Sequence, residues 1–186
     1  MVKAERWRMF ELEFHSAKNY QNPFQDVDVI ATFSGPEGQS LSRLAFWDGG
    51  HTWRLRSVLT AVGLWHYTIQ ASDGNPDFTQ SGAVECIPYD GNLDIYRHGF
   101  IRVGAQGRYL MYDDGTPFFW LGDTHWTFVT EERWDESNCP EYDSQFRACV
   151  DKRVQQRFTV YQSNFRDGKE FNLFGKYDEY LLETAH

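Results

Sequence analysis

The sequence predicts a two-part fold: a β-sandwich of immunoglobulin-like type over residues 1–90, then the opening βα units of a parallel sheet over residues 91–186. Three observations carry this. Short alternating stretches broken by Gly, Pro and Asn fill the first ninety residues. The rhythm changes at Ile87-Pro88-Tyr89-Asp90-Gly91-Asn92, where Pro88 and Gly91 mark a junction. Beyond it strand-like and helix-like periods alternate, as in a fold whose parallel strands are joined by crossover helices.

In order along the chain, "RMFELEF" (8–14) alternates, with Met9 and Leu12 bracketing charged positions. "DVDVIATF" (26–33) alternates more cleanly and puts Val27, Val29, Ala31 and Phe33 on one face. "SRLAFWDGGHTWRLRSV" (42–58) reads as two strands around Asp48-Gly49-Gly50, a turn that supplies positive φ at little steric cost. "GLWHYTIQAS" (63–72) sets Trp65, Tyr67 and Ile69 to one side, and "SGAVECIP" (81–88) is a last short strand. Strands at this spacing argue a sandwich.

In the second part, "RYLMYDDGTPFFWLGD" is a strand, a tight turn and a second strand that reads as fully buried, since Phe118, Phe119, Trp120 and Leu121 are consecutive. "TEERW" is a candidate short helix. Tyr142, Phe146, Cys149, Val150, Val154 and Phe158 recur at helical steps, with Pro140 at the helix start and Asn138 as its cap. "FTVYQ" (158–162) is the next strand, and "KYDEYLLETAH" begins another amphipathic helix. Residues 97–186 number ninety, whereas a closed (β/α)8 barrel takes about 250. If the sheet closes, the chain holds its first quarter to third.

Composition excludes several classes. The net charge is −9 with no Lys/Arg cluster longer than a pair, so nucleic acid and anionic membrane surfaces are not expected partners. No run approaches the roughly 18 apolar residues of a membrane helix. "MVKAERWRMFELEF" is not a secretory leader, so a cytoplasmic protein is expected, or a secreted or periplasmic one whose leader was removed. Cys86, Cys139 and Cys149 are odd in number and lack Cys-x-x-Cys spacing, so neither a disulfide framework nor a zinc site follows. Aromatic content is 17%, which suits a large core and also suits stacking on sugar rings.

In parallel βα folds, ligands meet the carboxyl ends of the strands. That places Asp123, His125 and Trp126 after the first strand, and Gln162 and Asn164 after the second, on one rim. A carboxylate, an imidazole, two amides and an indole suit a polyhydroxylated ligand. Each has a plainer role open to it: a strand-end Asp caps helices, His125 can be a hydrogen-bonded interior imidazole, and Trp126 can be packing. Asp123-Thr124-His125 is similar to the first metal motif of metallophosphoesterases, but the later motifs that complete their two metals do not occur, and Gly122-Asp123 is the only Gly-Asp pair. A nucleophile elbow, a P-loop and a dinucleotide fingerprint are likewise absent, and no cofactor or metal is expected.

"YLMYDDGTPFFWLGDTHW" followed by a helix and "RFTVYQSNF" resembles the start of the apiosidase-like glycoside hydrolase domain, a TIM barrel. "NPFQDVDVIATFSGPEG", "FWDGGHTWRLR" and "GLWHYTIQASD" resemble the immunoglobulin-like domain of unknown function that often precedes it. The resemblance implies an immunoglobulin-like sandwich followed by an incomplete TIM barrel, and hydrolysis of O-glycosyl bonds in plant or microbial polysaccharide. Such hydrolysis needs two carboxyl groups flanking the bond. The family places them at the ends of the fourth and seventh strands, beyond His186, so this chain is expected to be inactive alone. The one local pair is Asp123 with Asp167 or Glu170. Expected partners are a poly- or oligosaccharide, and a second copy or second chain that completes the sheet. The alternative is a non-enzymatic carbohydrate-binding or assembly module.

Overall fold

The computed structural model describes residues 1–126, 137 and 140–163. The chain is rich in β-structure with few helices and divides into two compact units, Met1–Pro117 and Phe118–His186.

Seven strands build most of the first unit: β1 (Val2–Glu5), β2 (Met9–His15), β3 (Val29–Ser34), β4 (Ser40–Trp47), β5 (Thr52–Val58), β6 (Gly63–Ala71) and β7 (Gln80–Ile87). Their order is β1-β7-β6-β3-β4-β5-β2. All neighbours run antiparallel except β1 and β7, which are parallel. Period-2 alternation decides which side chains go inward. Phe10, Leu12 and Phe14 of β2, Val29, Ala31 and Phe33 of β3, Trp53 and Leu55 of β5, and Trp65 and Ile69 of β6 are all buried in one core. On β2 the inward set is thus Phe10, Leu12 and Phe14, while Met9 is exposed.

β2 lies three places from β3 in the strand order, yet the Phe10 and Phe33 rings meet edge-on at 6.0 Å. Phe14 likewise meets Tyr67 of β6 at 6.5 Å. The sheet therefore folds over on itself, with β2 and β5 across the core from β3 and β6. The fold-over runs along β4, which pairs with β3 through Ser40–Ala45 and with β5 at Phe46 and Trp47. The turn from β4 to β5 uses Gly49 and Gly50 at φ of 102° and 52°, a conformation that a side chain would strain. Burying each large core side chain contributes on the order of 1.5–3 kcal/mol.

The loop after β2 is clamped to the turn before β7. Asn75 Nδ2 donates to Ser16 Oγ (2.8 Å) and to the Tyr20 hydroxyl (3.0 Å), and Ser16 Oγ donates to Asp77 Oδ2 (3.1 Å). Both Ser16 and Asn75 are buried, so the network leaves neither group unpaired.

The first unit continues past the change of rhythm at Asp90. Helix α1 (Asp94–His98) leads to β8 (Ile101–Val103) and β9 (Leu110–Tyr112), which pair antiparallel, and the two-residue β10 (Pro117–Phe118) completes a three-stranded sheet. Trp7 ties this segment to the seven-stranded sheet: its ring meets Phe100 at 5.1 Å, and Arg8 lies over the Tyr96 ring. Trp7 is buried and holds φ of 68°, uncommon for so bulky a residue. These contacts account for a unit that ends at Pro117.

In the second unit, β11 (Gly122–His125) and β12 (Val160–Ser163) pair in parallel, with α2 (Gln145–Gln155) between them in sequence. This is the β-helix-β connection that parallel strands require. The structure corrects two expectations here. The buried strand expected at Phe118–Leu121 is displaced: the strand is Gly122–His125, and Phe119 and Trp120 are 75% and 54% exposed. Four consecutive apolar residues signal burial on both faces only where layers cover both, and among the described residues just β12 and α2 flank β11. The helix starts later than expected. Ser144, not Asn138, is its cap, accepting from Arg147 N at 3.1 Å, and Tyr142 and Phe158 lie outside the helix. Serine is among the side chains best suited to accept from a first-turn amide. Asn138, Cys139, "TEERW" and "KYDEYLLETAH" lie outside the described residues.

Candidate functional site

The register of the parallel pair places the candidate residues. Gly122 is opposite Val160, Asp123 opposite Tyr161, Thr124 opposite Gln162 and His125 opposite Ser163. Because side chains alternate along a strand, Asp123, His125 and Tyr161 share one face, and Thr124 and Gln162 share the other. Helix α2 covers the first of these. Phe146 meets the Tyr161 ring edge-on at 5.7 Å, and the Tyr161 hydroxyl donates to Cys149 Sγ at 3.9 Å.

Asp123 is engaged on that covered face. Its Oδ2 accepts from Arg153 Nε of α2, in an ion pair between two partly exposed side chains. The hydrogen bond from Arg153 holds the Asp123 carboxyl below the usual carboxylate range, with the guanidinium charge adding to it. A general acid needs the opposite shift, so Asp123 does not fit the proton-donor role of a glycosidase. His125 pairs through Nδ1 with the Tyr161 hydroxyl, and the two rings cross edge-on at 5.8 Å.

The structure thus brings Asp123 and His125 together and sets Gln162 on the opposite face, where it is exposed. Trp126 follows β11 and is 65% exposed. Asn164, Asp167 and Glu170 lie outside the described residues. Sequence reasoning did not single out Arg153, Tyr161 or Phe146 as neighbours of the site, nor Cys149 beyond its packing role. A helical signal was present: 146, 149 and 153 stand at i, i+3 and i+7, one face of one helix. Cys149 is a free thiol, as is the buried Cys86, whose thiol is pushed up by burial. Among the described residues, no group of three or more His, Cys, Asp or Glu could hold a metal ion, and no helix is long and apolar enough to cross a membrane.

Two family models match the chain. Residues 3–72 match a domain of unknown function, DUF5060, and residues 104–179 match the apiosidase-like catalytic domain. A crystal structure from Bacteroides vulgatus ATCC 8482, of a protein carrying a provisional glycoside hydrolase designation, is similar at 28% identity and a TM-score of 0.60. That similarity covers 73% of this chain and 25% of the other.

Residues 104–179 are thus similar to the apiosidase-like glycoside hydrolase family.

Comparison with curated proteins gave no match. The apiosidase-like match begins at Gly104, inside the segment that Trp7 ties to the first unit, and runs through β11, α2 and β12. The β-helix-β connection and the candidate residues therefore fall within the catalytic-domain match. The chain spans about a quarter of the length of its solved relative.

Proposed function

We propose that the chain is the N-terminal portion of a glycoside hydrolase that cleaves O-glycosyl bonds of plant or microbial polysaccharide. The observation that carries this is the apiosidase-like match over a parallel β11–α2–β12 connection. On this reading residues 1–90 form an immunoglobulin-like sandwich, and residues 91–186 open a TIM barrel. The catalytic carboxylates come from later strands, so the chain alone does not turn over substrate. Gln162, Trp126 and Asn164 contact the glycan, while on the covered face Asp123 pairs with Arg153 of α2 and His125 with Tyr161 of β12. A second copy or chain would complete the sheet.

The test is to assay the chain, alone and joined to the coding sequence downstream of His186, on a panel of rhamnogalacturonan-type and other plant glycans. Release of reducing sugar by the longer protein only is the expected result. No release from any glycan by either would sink the reading.

A second reading, a non-enzymatic carbohydrate-binding module, is favoured by a groove of about 210 Å³ on the exposed face of β3 and β6. It is lined by Ile30, Thr32, Thr68, Gln70, Ala71 and Ser72. Glycan binding by the chain that Thr68→Val with Gln70→Ala abolishes, with no hydrolysis by the longer protein, would favour it.

A further inference from the structure

The register of β11 and β12 separates residues that one rim was expected to gather. Asp123 and His125 are spent on Arg153 and Tyr161, on the face that α2 covers. On the other face Thr124 stands directly opposite Gln162, both exposed. Neither the Thr124 hydroxyl nor the Gln162 amide has a hydrogen-bond partner among the described residues. Neighbouring strands lie about 4.8 Å apart, so the two groups stand side by side. Together they offer a hydroxyl that donates and accepts, and an amide with two donors and an acceptor. Exposed Trp126 follows two positions after Thr124 and supplies an apolar ring.

From this we infer that Thr124 is a glycan-contacting, specificity-determining residue, acting with Gln162 as a hydroxyl–amide pair that holds neighbouring hydroxyls of one sugar unit. The inference rests on the glycoside hydrolase reading above and names a residue of that site that the strand-end motif does not reveal. The motif points to the acid and the imidazole, whereas the register turns both away. A threonine hydroxyl also discriminates: a ring lacking the facing hydroxyl leaves it unpaired on binding, which costs more than a lost contact with an exposed apolar group.

The test uses the 186-residue chain and two probes, oligosaccharides released from rhamnogalacturonan and from xylan, titrated by calorimetry with thermal unfolding read in parallel. Thr124→Val keeps the β-branch and removes the hydroxyl; Thr124→Ser keeps the hydroxyl and removes the methyl. The expected result is that Thr124→Val weakens binding of the better probe about fivefold or more, the loss of roughly one hydrogen bond. Thr124→Ser stays within about twofold of wild type, Gln162→Ala weakens binding like Thr124→Val, and all unfold at the wild-type temperature. Binding by wild type that Thr124→Val leaves unchanged overturns the inference alone. Equal weakening by Thr124→Val and Thr124→Ser also overturns it, because the hydroxyl is then not the group that matters. No binding of either probe by wild type overturns this assignment, while the glycan reading is decided separately by sugar release from the longer protein.

Discussion

Asp123 is held as a carboxylate by Arg153, and Asp114 by His98 and the Thr116 amide, and acid should reveal both. Arg153 lowers Asp123, and the His98 imidazole, whose Nδ1 lies 2.6 Å from Oδ2, brings Asp114 down to about 2. A carboxyl lowered in the folded state contributes stability above its unfolded value, near 3.9, and loses it as pH falls through the folded value. Thermal unfolding of Asp114→Asn should therefore fall below wild type at pH 5, and the gap should close between about pH 4 and pH 2. A gap that persists at pH 2 would show that the pair contributes nothing through its charge. Gly35 makes a different kind of prediction. A Cβ there would stand 2.7 Å from the buried Trp65 ring, so Gly35→Ala should destabilise by about 1–3 kcal/mol in urea unfolding. "GDTHW" advertises Asp123 and His125 because they carry charge and chemistry, but whether they meet a ligand depends on which face α2 covers.

At the scale of elements, α2 is a helix whose start was legible in kind and misplaced in position. Pro140 and Asn138 made one plausible beginning, yet Ser144 satisfies the Arg147 amide and begins the helix. Ser144→Ala should cost about 0.5–2 kcal/mol and fray the first turn, visible as faster amide exchange at Arg147. The α1–β8–β9 segment gives a sharper test. Gly99 holds φ of 88°, and a Cβ there would lie 2.8 Å from the Trp7 ring and 2.9 Å from Asp113 Cβ. Gly99→Ala should cost about 1–3 kcal/mol, with amides of β8 and β9 exchanging faster than those of β3 and β6. Uniform exchange throughout the unit would mean that Trp7 does not anchor this segment. The Trp7 contact was not legible, because nothing in a sequence marks a tryptophan that holds a positive φ to reach a partner more than ninety residues away.

Across the molecule, one core joins strands that are far apart in order. Leu55 is fully buried there, and Leu55→Ala should cost about 2–5 kcal/mol, with exchange accelerating in β2, β3, β5 and β6 together. Acceleration confined to β5 would mean that the strands do not share a core. The alternation around β3 and β6 was readable directly: Val27, Val29, Ala31 and Phe33 are buried as the period implies, as are Trp65 and Ile69, with Tyr67 partly buried against the same core. The parallel pairing of β1 with β7 was not readable, since a four-residue strand carries too little pattern to name its partner. The sequence by itself determined which residues share a strand face, because backbone geometry alternates side chains whatever surrounds them. Only the tertiary structure decided which face is covered: α2 lies over Asp123, His125 and Tyr161 and leaves Thr124 and Gln162 exposed. That choice depends on packing between distant segments, and no local period encodes it.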